Sequence, residues 1–180
     1  MFIETILGGV MILTLFNDID QLSTEKTRLQ EIECLAKNMY YEARDQGTAG
    51  KIAVTNVVLN RIKDKRFPNT ICEVVQQGPT RESWKTKKDK NIPEEERIYY
   101  PIKHRCQFSW YCDGASDDPR TKEKYKEVYL LSLNIVDKKF PLMDITDGAL
   151  FYHADYVRPA WARTKQRTTE IGDHIFYTWK

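Results

Sequence analysis

The stretch "LAKNMYYEARDQGTAGKIAVTNVVLNRI", residues 35–62, contains two apolar, helix-like segments separated by a glycine-broken turn. Helical spacing of apolar residues predicts an amphipathic helix over residues 31–46. We expect Gly47 to end this helix as a C-cap and Thr48 to cap the next one. The second segment is apolar on several sides, which predicts a buried, central helix. The apolar positions of the first helix are Ile32, Leu35, Ala36, Met39, Tyr40 and Ala43.

Glu42 lies at the edge of the apolar stripe of the first helix. At ~100° per residue it falls about 20° from Leu35, at the border between core and solvent. Partial burial there raises the pKa of a carboxyl group, because desolvation disfavours its charged form. Asp45, one turn later, is a like charge that we expect to raise the same pKa, whereas Arg44 is expected to form a structural ion pair. A surface glutamate is the structural alternative, and a proton-carrying acid is the functional one.

The composition indicates one soluble domain with many aromatic side chains. The 180 residues are 41% hydrophobic and 30% charged, which is ordinary for a soluble protein. The formal net charge of +2 does not favour nucleic acid as a partner. Ten Tyr and four Trp can pack a core, but they can also form flat platforms for sugar rings. We expect a monomer.

The first sixteen residues, "MFIETILGGVMILTLF", form an apolar run. The run lacks the basic start and the cleavage motif of a secretory signal, and it is shorter than the ~20 residues that span a bilayer. Two interpretations stay open: a signal-anchor with weak membrane association through residues 1–16, or an apolar helix that packs on the domain. The expected organisation is an N-terminal segment and linker over 1–28 and a folded domain over 29–180.

The rest of the chain predicts a third helix, a pair of strands and a charged insertion. "TKEKYKEVYLLSLNIVD", residues 121–137, has helical spacing. "GALFYHA" and "HIFYTW", near the C-terminus, read as an antiparallel pair of strands that carry His153 and His174. Residues 79–105 are charged and without periodicity, which indicates an inserted surface loop or a loose helix.

Cysteine and histidine spacing does not predict a metal or cofactor. The four cysteines contain no CxxC pair, and their three full pairings cannot be distinguished from sequence. HExxH, GxSxG, Walker and GxGxxG patterns are absent. We interpret His153 and His174 as hydrogen-bonded structural residues. A zinc site would need a third ligand, which the sequence does not identify.

The segment "CQFSWYCDG", residues 106–114, combines an amide, aromatic rings and a hydroxyl in nine residues. A core turn with packed aromatics is one reading of it. The other is a sugar-binding wall, in which ring faces lie against pyranoses and Gln107 or Ser109 bonds to hydroxyl or acetamido groups.

Several blocks occur together and in order: the opening stretch, "FPNTICEVV", "CQFSW" with "CDG", "ALFYHADYVRPAWA" and "IGDHIFYT". Together they resemble the SleB-type cell wall hydrolases, the cortex-lytic enzymes of spores and their phage and bacterial relatives. The resemblance covers residues 35–178 and departs from the family pattern at the insertion near 79–105. It implies a compact α+β domain that is lysozyme-like and resuscitation-promoting-factor-like, mainly helical with a small antiparallel sheet.

The same resemblance implies that peptidoglycan is cleaved between N-acetylmuramic acid and N-acetylglucosamine, with Glu42 as the catalytic residue. The expected outcome is a lytic transglycosylase that forms a 1,6-anhydro sugar, with Asp45 and Asp113 as candidate second carboxylates for a true hydrolase. A zinc-dependent N-acetylmuramoyl-L-alanine amidase and a non-catalytic wall-binding domain are the alternatives. The expected location is the cell envelope or the medium, with membrane anchoring before release, and a phage gene fits the short single domain. The implied cleft residues are Gln107, Phe108, Ser109, Trp110, Tyr152, His153 and Trp161.

Overall fold

The long first helix organises the fold. The computed structural model describes the backbone of residues 4–180 and the side chains of residues 20–180. The first helix ends at Ala43, and Gly47 is extended, with φ −63° and ψ 174°, as the N-cap of the second helix. The expected C-cap at Gly47 and N-cap at Thr48 are therefore wrong, since Thr48 is already helical and no side chain caps this end. The described α-helices are α1 (Glu4–Ala43), α2 (Thr48–Lys63), α3 (Ile71–Val75), α4 (Trp84–Lys88) and α5 (Lys122–Val136).

The core forms where α2, α3 and α5 pack around the C-terminal half of α1. Leu35, Met39 and Tyr40 of α1 are at most 1% exposed. Each such side chain contributes about 1.5–3 kcal/mol when it is removed from water. This burial fixes the end of α1, and with it the backbone of Glu42. The partners of these residues in the core include Val58, Val74, Phe108, Val128 and Ile135.

A three-stranded antiparallel sheet packs beside α2. Its strand order is β3-β5-β4, and Phe151 pairs with Tyr177 while Ala154 pairs with His174. The predicted antiparallel pair is therefore confirmed. The polar strand β4, sequence "KQRTTEI", was missed because it lacks alternating apolar residues. The sheet strands are β3 (Phe151–Ala154), β4 (Lys165–Ile171) and β5 (His174–Trp179).

Residues 79–105 contain a hairpin, so the prediction of a surface loop or loose helix is correct in part: the segment is largely exposed and includes one short helix, but two short strands pair near its ends. Strands β1 (Thr80–Glu82) and β2 (Tyr99–Pro101) pair antiparallel. Between them lie α4 and a short 3₁₀ turn at Glu94–Glu96. A strand of three residues is too short to show a clear period of two, so the sequence pattern did not predict β1 and β2.

The N-terminal part of α1 continues into the domain without a break at residue 28. The predicted membrane association of residues 1–16 concerns side chains outside those that the structure describes. Within the described part of the chain, no helix combines the length and apolar character needed to cross a membrane.

Two disulfides select one of the three cysteine pairings. Cys34–Cys72 joins α1 to α3, and Cys106–Cys112 closes the turn that contains the "QFSWY" segment. The predicted α+β class, mainly helical with a small antiparallel sheet, is confirmed.

Candidate active site

Glu42 faces a cleft between the end of α1 and strand β3. The Tyr152 hydroxyl donates a hydrogen bond of 2.8 Å to Glu42 Oε2. The cleft has a volume of about 730 Å³, and Glu42 is half-buried in its wall. The helical spacing that placed Glu42 at a border therefore corresponds to a real junction between core and cleft.

Six of the seven cleft residues expected from sequence line this cavity. They come from the "QFSW" turn, from β3 and from the 3₁₀ turn at Ala160–Thr164, three segments that are remote in sequence from α1. The fold thus places these residues in the same cleft as Glu42, and their roles in binding substrate remain predictions. The six are Gln107, Phe108, Ser109, Tyr152, His153 and Trp161.

Trp110 is the exception, because it lies in the core. Its indole Nε1 donates to Asn38 Oδ1 at 3.1 Å, and its ring stacks on Tyr41 with centroids 4.8 Å apart. Tyr41 is the ring that lines the cleft. The expectation of Trp110 as a cleft residue is therefore corrected: it supports the aromatic wall from behind.

Arg61 is a cleft residue that the sequence reasoning missed. It is only 4% exposed, and its Nε donates to Leu150 O at 2.8 Å. Its guanidinium lies within 5.8 Å of the ring centres of Phe67, Phe108 and Phe151. Burial lowers the pKa of Arg61 to about 10, so it remains a cation at neutral pH. The signal was available, since Arg61 follows Val57 and Val58 at helical spacing on the buried face of α2.

Three influences set the protonation of Glu42. Burial raises its pKa, while the hydrogen bond from Tyr152 and the positive charge of Arg61 oppose the rise. Burial and the adjacent Glu42 hold the pKa of Tyr152 far above its ordinary value, so Tyr152 stays a neutral donor. The arrangement favours a protonated Glu42 but also supports its carboxylate once the proton has left.

Asp45 does not take part in this balance. Its carboxylate is bound by Lys124 and by Arg44, the latter at 3.2 Å, and the bond from Lys124 lowers the pKa of Asp45. The pKa of Glu42 responds to burial, Tyr152 and Arg61 and not to Asp45. The expected like-charge effect is therefore wrong, because Lys124 compensates the charge of Asp45. The expected ion pair of Arg44 is confirmed.

The two histidines differ in their contacts: His153 is hydrogen-bonded at both ring nitrogens, whereas His174 Nδ1 is buried without a partner among the described residues, so the predicted hydrogen-bonded role is confirmed for His153 only. His153 Nδ1 lies 2.9 Å from Ala154 O, which can only accept, so Nδ1 carries the proton and Nε2 accepts from Tyr177 OH at 3.0 Å. Burial lowers the pKa of His174. Among the side chains of residues 20–180, no three His, Cys, Asp or Glu converge as a metal site would require.

Glu42 is the sole carboxylate among the described residues that line the main cleft. Asp45 and Asp173 line a smaller adjoining cavity of about 190 Å³, which Glu42 also reaches. Asp113, the other candidate second carboxylate, accepts from Ala115 N and does not line either cavity. The geometry therefore offers one well-placed acid.

Comparisons with known proteins agree with this architecture. A spore cortex-lytic enzyme of Bacillus cereus is 26% identical over 152 residues, which cover 81% of this chain. The match spans only 43% of that relative's length. The crystal structure of the catalytic domain of the Bacillus cereus SleB protein matches with a TM-score of 0.51 and 26% identity, covering 82% of this chain and 89% of that one.

A second solved structure is the catalytic domain of the germination-specific lytic transglycosylase SleB from Bacillus anthracis. It matches with a TM-score of 0.52 and 26% identity, over 82% of this chain and 93% of that one. The sequence profile of the Cell Wall Hydrolase family matches residues 45–177, a range that begins just after Glu42. Because this match covers most of the chain, it confirms the predicted family: the chain belongs to the Cell Wall Hydrolases.

Proposed function

We propose that this domain cleaves the glycosidic bond between N-acetylmuramic acid and N-acetylglucosamine in peptidoglycan, as a lytic transglycosylase with Glu42 as its acid and base. The observation that carries the proposal is the single carboxylate in the main cleft, with its pKa raised by burial. Glycoside hydrolysis commonly needs two carboxylates, whereas one residue can serve a transglycosylase in two successive roles.

In the first step, protonated Glu42 donates its proton to the bridging oxygen as the bond from that oxygen to C1 of the muramic sugar breaks. In the second step, the Glu42 carboxylate accepts the proton of the muramic C6 hydroxyl, whose oxygen then bonds to C1. The product is a 1,6-anhydromuramic end, and Glu42 returns to its protonated form without consuming water.

Tyr152 and Arg61 act between these two steps. Once the proton has left, the carboxylate at position 42 is costly in its half-buried site. The Tyr152 hydroxyl at 2.8 Å and the positive charge of Arg61 stabilise that carboxylate. The opposing effects keep the acid able both to give and to take a proton, as general acid–base catalysis requires.

The walls of the cleft suit a glycan strand. Tyr41, Tyr156 and Trp161 provide ring faces for the apolar faces of pyranoses, and Gln107 and Ser109 provide polar groups for acetamido and hydroxyl groups. The name of the Bacillus anthracis structure supports the transglycosylase outcome, and the name of the Bacillus cereus relative supports action at the cell envelope.

Mass spectrometry of digested peptidoglycan tests the reaction. We expect muropeptides with 1,6-anhydromuramic ends. Muropeptides with reducing ends would indicate a hydrolase instead, and freed stem peptides would indicate the amidase. If nothing were released while the protein bound the wall, the non-catalytic alternative would be correct.

Replacing Tyr152 with phenylalanine tests the control of the acid. The change removes the hydrogen bond that lowers the pKa of Glu42, so Glu42 keeps its proton to higher pH. We expect the alkaline limb of kcat/KM for peptidoglycan digestion to move to higher pH. Tyr156→Phe is the matched control, because Tyr156 also lines the cleft but is 83% exposed and does not bond to Glu42. Identical alkaline limbs for Tyr152→Phe and the parent protein would contradict this role.

A further inference from the structure

The hairpin of residues 79–105 carries an exposed aromatic and basic surface that the cleft does not use. Trp84 is 71% exposed and Tyr100 is 53% exposed, which is unusual for side chains of this size. With Arg81, Lys85 and Ile98, and beside Glu82 and Ser83, they line a cavity of about 450 Å³. We call Arg81, Trp84, Lys85, Ile98 and Tyr100 the hairpin patch.

The charges on the two faces of the hairpin differ. Arg81 pairs with Tyr100 across the strands, and Glu82 pairs with Tyr99, so the two pairs occupy opposite faces. On the Glu82 face the charges are satisfied internally. Arg97 Nη1 binds Glu82 Oε1 at 2.7 Å, and Tyr99 OH donates to Glu94 Oε1 at 2.7 Å.

The Arg81 face is left with uncompensated positive charge. Among the side chains of residues 20–180, neither Arg81 nor Lys85 has an ion-pair partner. Glu82 also lines the cavity, but its carboxylate is already bound by Arg97. Two free cations beside two exposed aromatic rings form a surface that complements a sugar polymer bearing carboxylates.

The patch is held in a defined conformation. Ser83 N donates to Ile98 O at 2.7 Å, and Thr86, which is 5% exposed, bonds to Ser83 O at 3.2 Å. Ile98 N also donates to Thr86 Oγ1 at 3.4 Å, so the start of α4 is held against Ile98, the residue before β2, and Trp84 remains exposed. A surface with fixed rings loses less side-chain entropy on binding than a mobile one.

The base of the hairpin is joined to the wall of the Glu42 cleft. Gln107 N donates to Gln77 O at 2.8 Å, and Gln107 lines the cleft. A Cβ on Gly78 would lie 2.9 Å from Cys106 Cα, so only glycine permits this approach to the Cys106–Cys112 bridge. Strand β2 ends at Pro101, and the six residues from there to Gln107 span at most ~22 Å. This separation is short compared with a glycan strand of several sugars.

We propose that the hairpin patch is a second binding surface for the peptidoglycan strand, outside the cleft that contains the cleaved bond. Trp84 and Tyr100 stack on sugar faces, while Arg81 and Lys85 bind the carboxylates of stem peptides. This proposal rests on the proposed function for its ligand. Its effect is to retain the enzyme on intact wall, not to perform the chemistry.

Co-sedimentation with insoluble peptidoglycan freed of teichoic acid tests the patch. The parent protein carries Glu42→Gln so that the wall stays intact during the measurement. Trp84→Ala/Tyr100→Ala should weaken binding about tenfold, since stacking on two aromatic rings is lost. Met143→Ala, at a side chain that is 76% exposed, is the matched control and should bind as the parent does.

A second pair of variants tests the charge. Arg81→Ala/Lys85→Ala should weaken binding and flatten its dependence on salt, because salt screens the exposed charges that are removed. Lys122→Ala/Lys126→Ala removes two exposed lysines of α5 as the control and should leave the affinity nearly unchanged.

The outcomes separate this proposal from the proposed reaction. With active protein, Trp84→Ala/Tyr100→Ala should digest intact wall more slowly but cleave short soluble glycan fragments at the parent rate. Parent-like binding by the patch variants would overturn the patch and leave the reaction standing. Loss of binding only to teichoic acid-bearing wall, or only to anionic phospholipid vesicles, would also overturn it, because another polymer or a membrane would then be the ligand. If the protein with Glu42 intact released no glycan products while sedimentation still depended on the patch, the proposed reaction would be overturned and the proposed binding surface would stand.

Discussion

Glu42→Gln should lower the rate of peptidoglycan digestion by about 10²- to 10⁴-fold, the contribution of a positioned general acid–base group. The amide keeps the shape of the side chain and still accepts from Tyr152, but it cannot donate a proton and take it back. The measurement is the initial rate of anhydro-muropeptide release. Asp45→Asn is the matched control, because it removes a carboxylate one turn away that is paired with Lys124. A Glu42→Gln protein that digests peptidoglycan at the parent rate would contradict the proposed mechanism.

The same variant has an expected effect on stability that checks the environment of Glu42 independently of catalysis. The pKa of Glu42 is higher in the folded than in the unfolded protein, so the folded state binds more protons between those two values. Stability of the parent protein therefore falls as pH rises through that window, and glutamine does not titrate. We expect the stability of Glu42→Gln relative to the parent protein to be greater at neutral pH than at a pH below the pKa of Glu42 in the unfolded protein. Thermal unfolding of both proteins at both pH values measures this. If the difference in stability between variant and parent were the same at both pH values, the pKa of Glu42 would not be raised by burial.

Removing the Cys34–Cys72 bridge should have the largest effect on stability. Its cysteines are 38 residues apart, against 6 for Cys106–Cys112. Loop-closure entropy then predicts losses of about 4 and about 2 kcal/mol in the free energy of unfolding for the respective Cys→Ser pairs. The first bridge also holds α3 against α1, where Glu31 accepts from Ile71 N at 2.6 Å. Denaturant unfolding of the two double variants measures the difference.

The short bridge provides the control for this comparison, because both variants lose two sulfur atoms and one crosslink. Treatment of the parent protein with reductant should reproduce the sum of the two losses. If the Cys106–Cys112 variant were the less stable of the two, crosslink length would not explain the stability. The anchoring of the hairpin would then matter more than the tie between α1 and α3.

Helical spacing by itself placed Glu42 at the margin of an apolar stripe, and the structure has a cleft at that margin. Two short aromatic runs likewise predicted β3 and β5, and the ordered motif blocks led to the family that the profile match confirms. These successes have two causes. The placement of Glu42 depends on the direction of side chains along one helix, which the helical period determines, whereas the family depends on the order of motif blocks along the chain.

Only the tertiary structure decided which residues those side chains contact. Trp110 lies in a sequence segment that is typical of a sugar-binding wall, yet its indole bonds to Asn38 inside the core. Arg61 belongs to a buried helix face by its spacing, yet it reaches the cleft and opposes the effect of burial on Glu42. Asp45 lies one turn from Glu42, yet Lys124 of α5 neutralises its charge. The charge partner of a side chain, its neighbours in the core or cleft and the Cys34–Cys72 pairing depend on contacts between segments far apart in the chain, which local spacing does not specify.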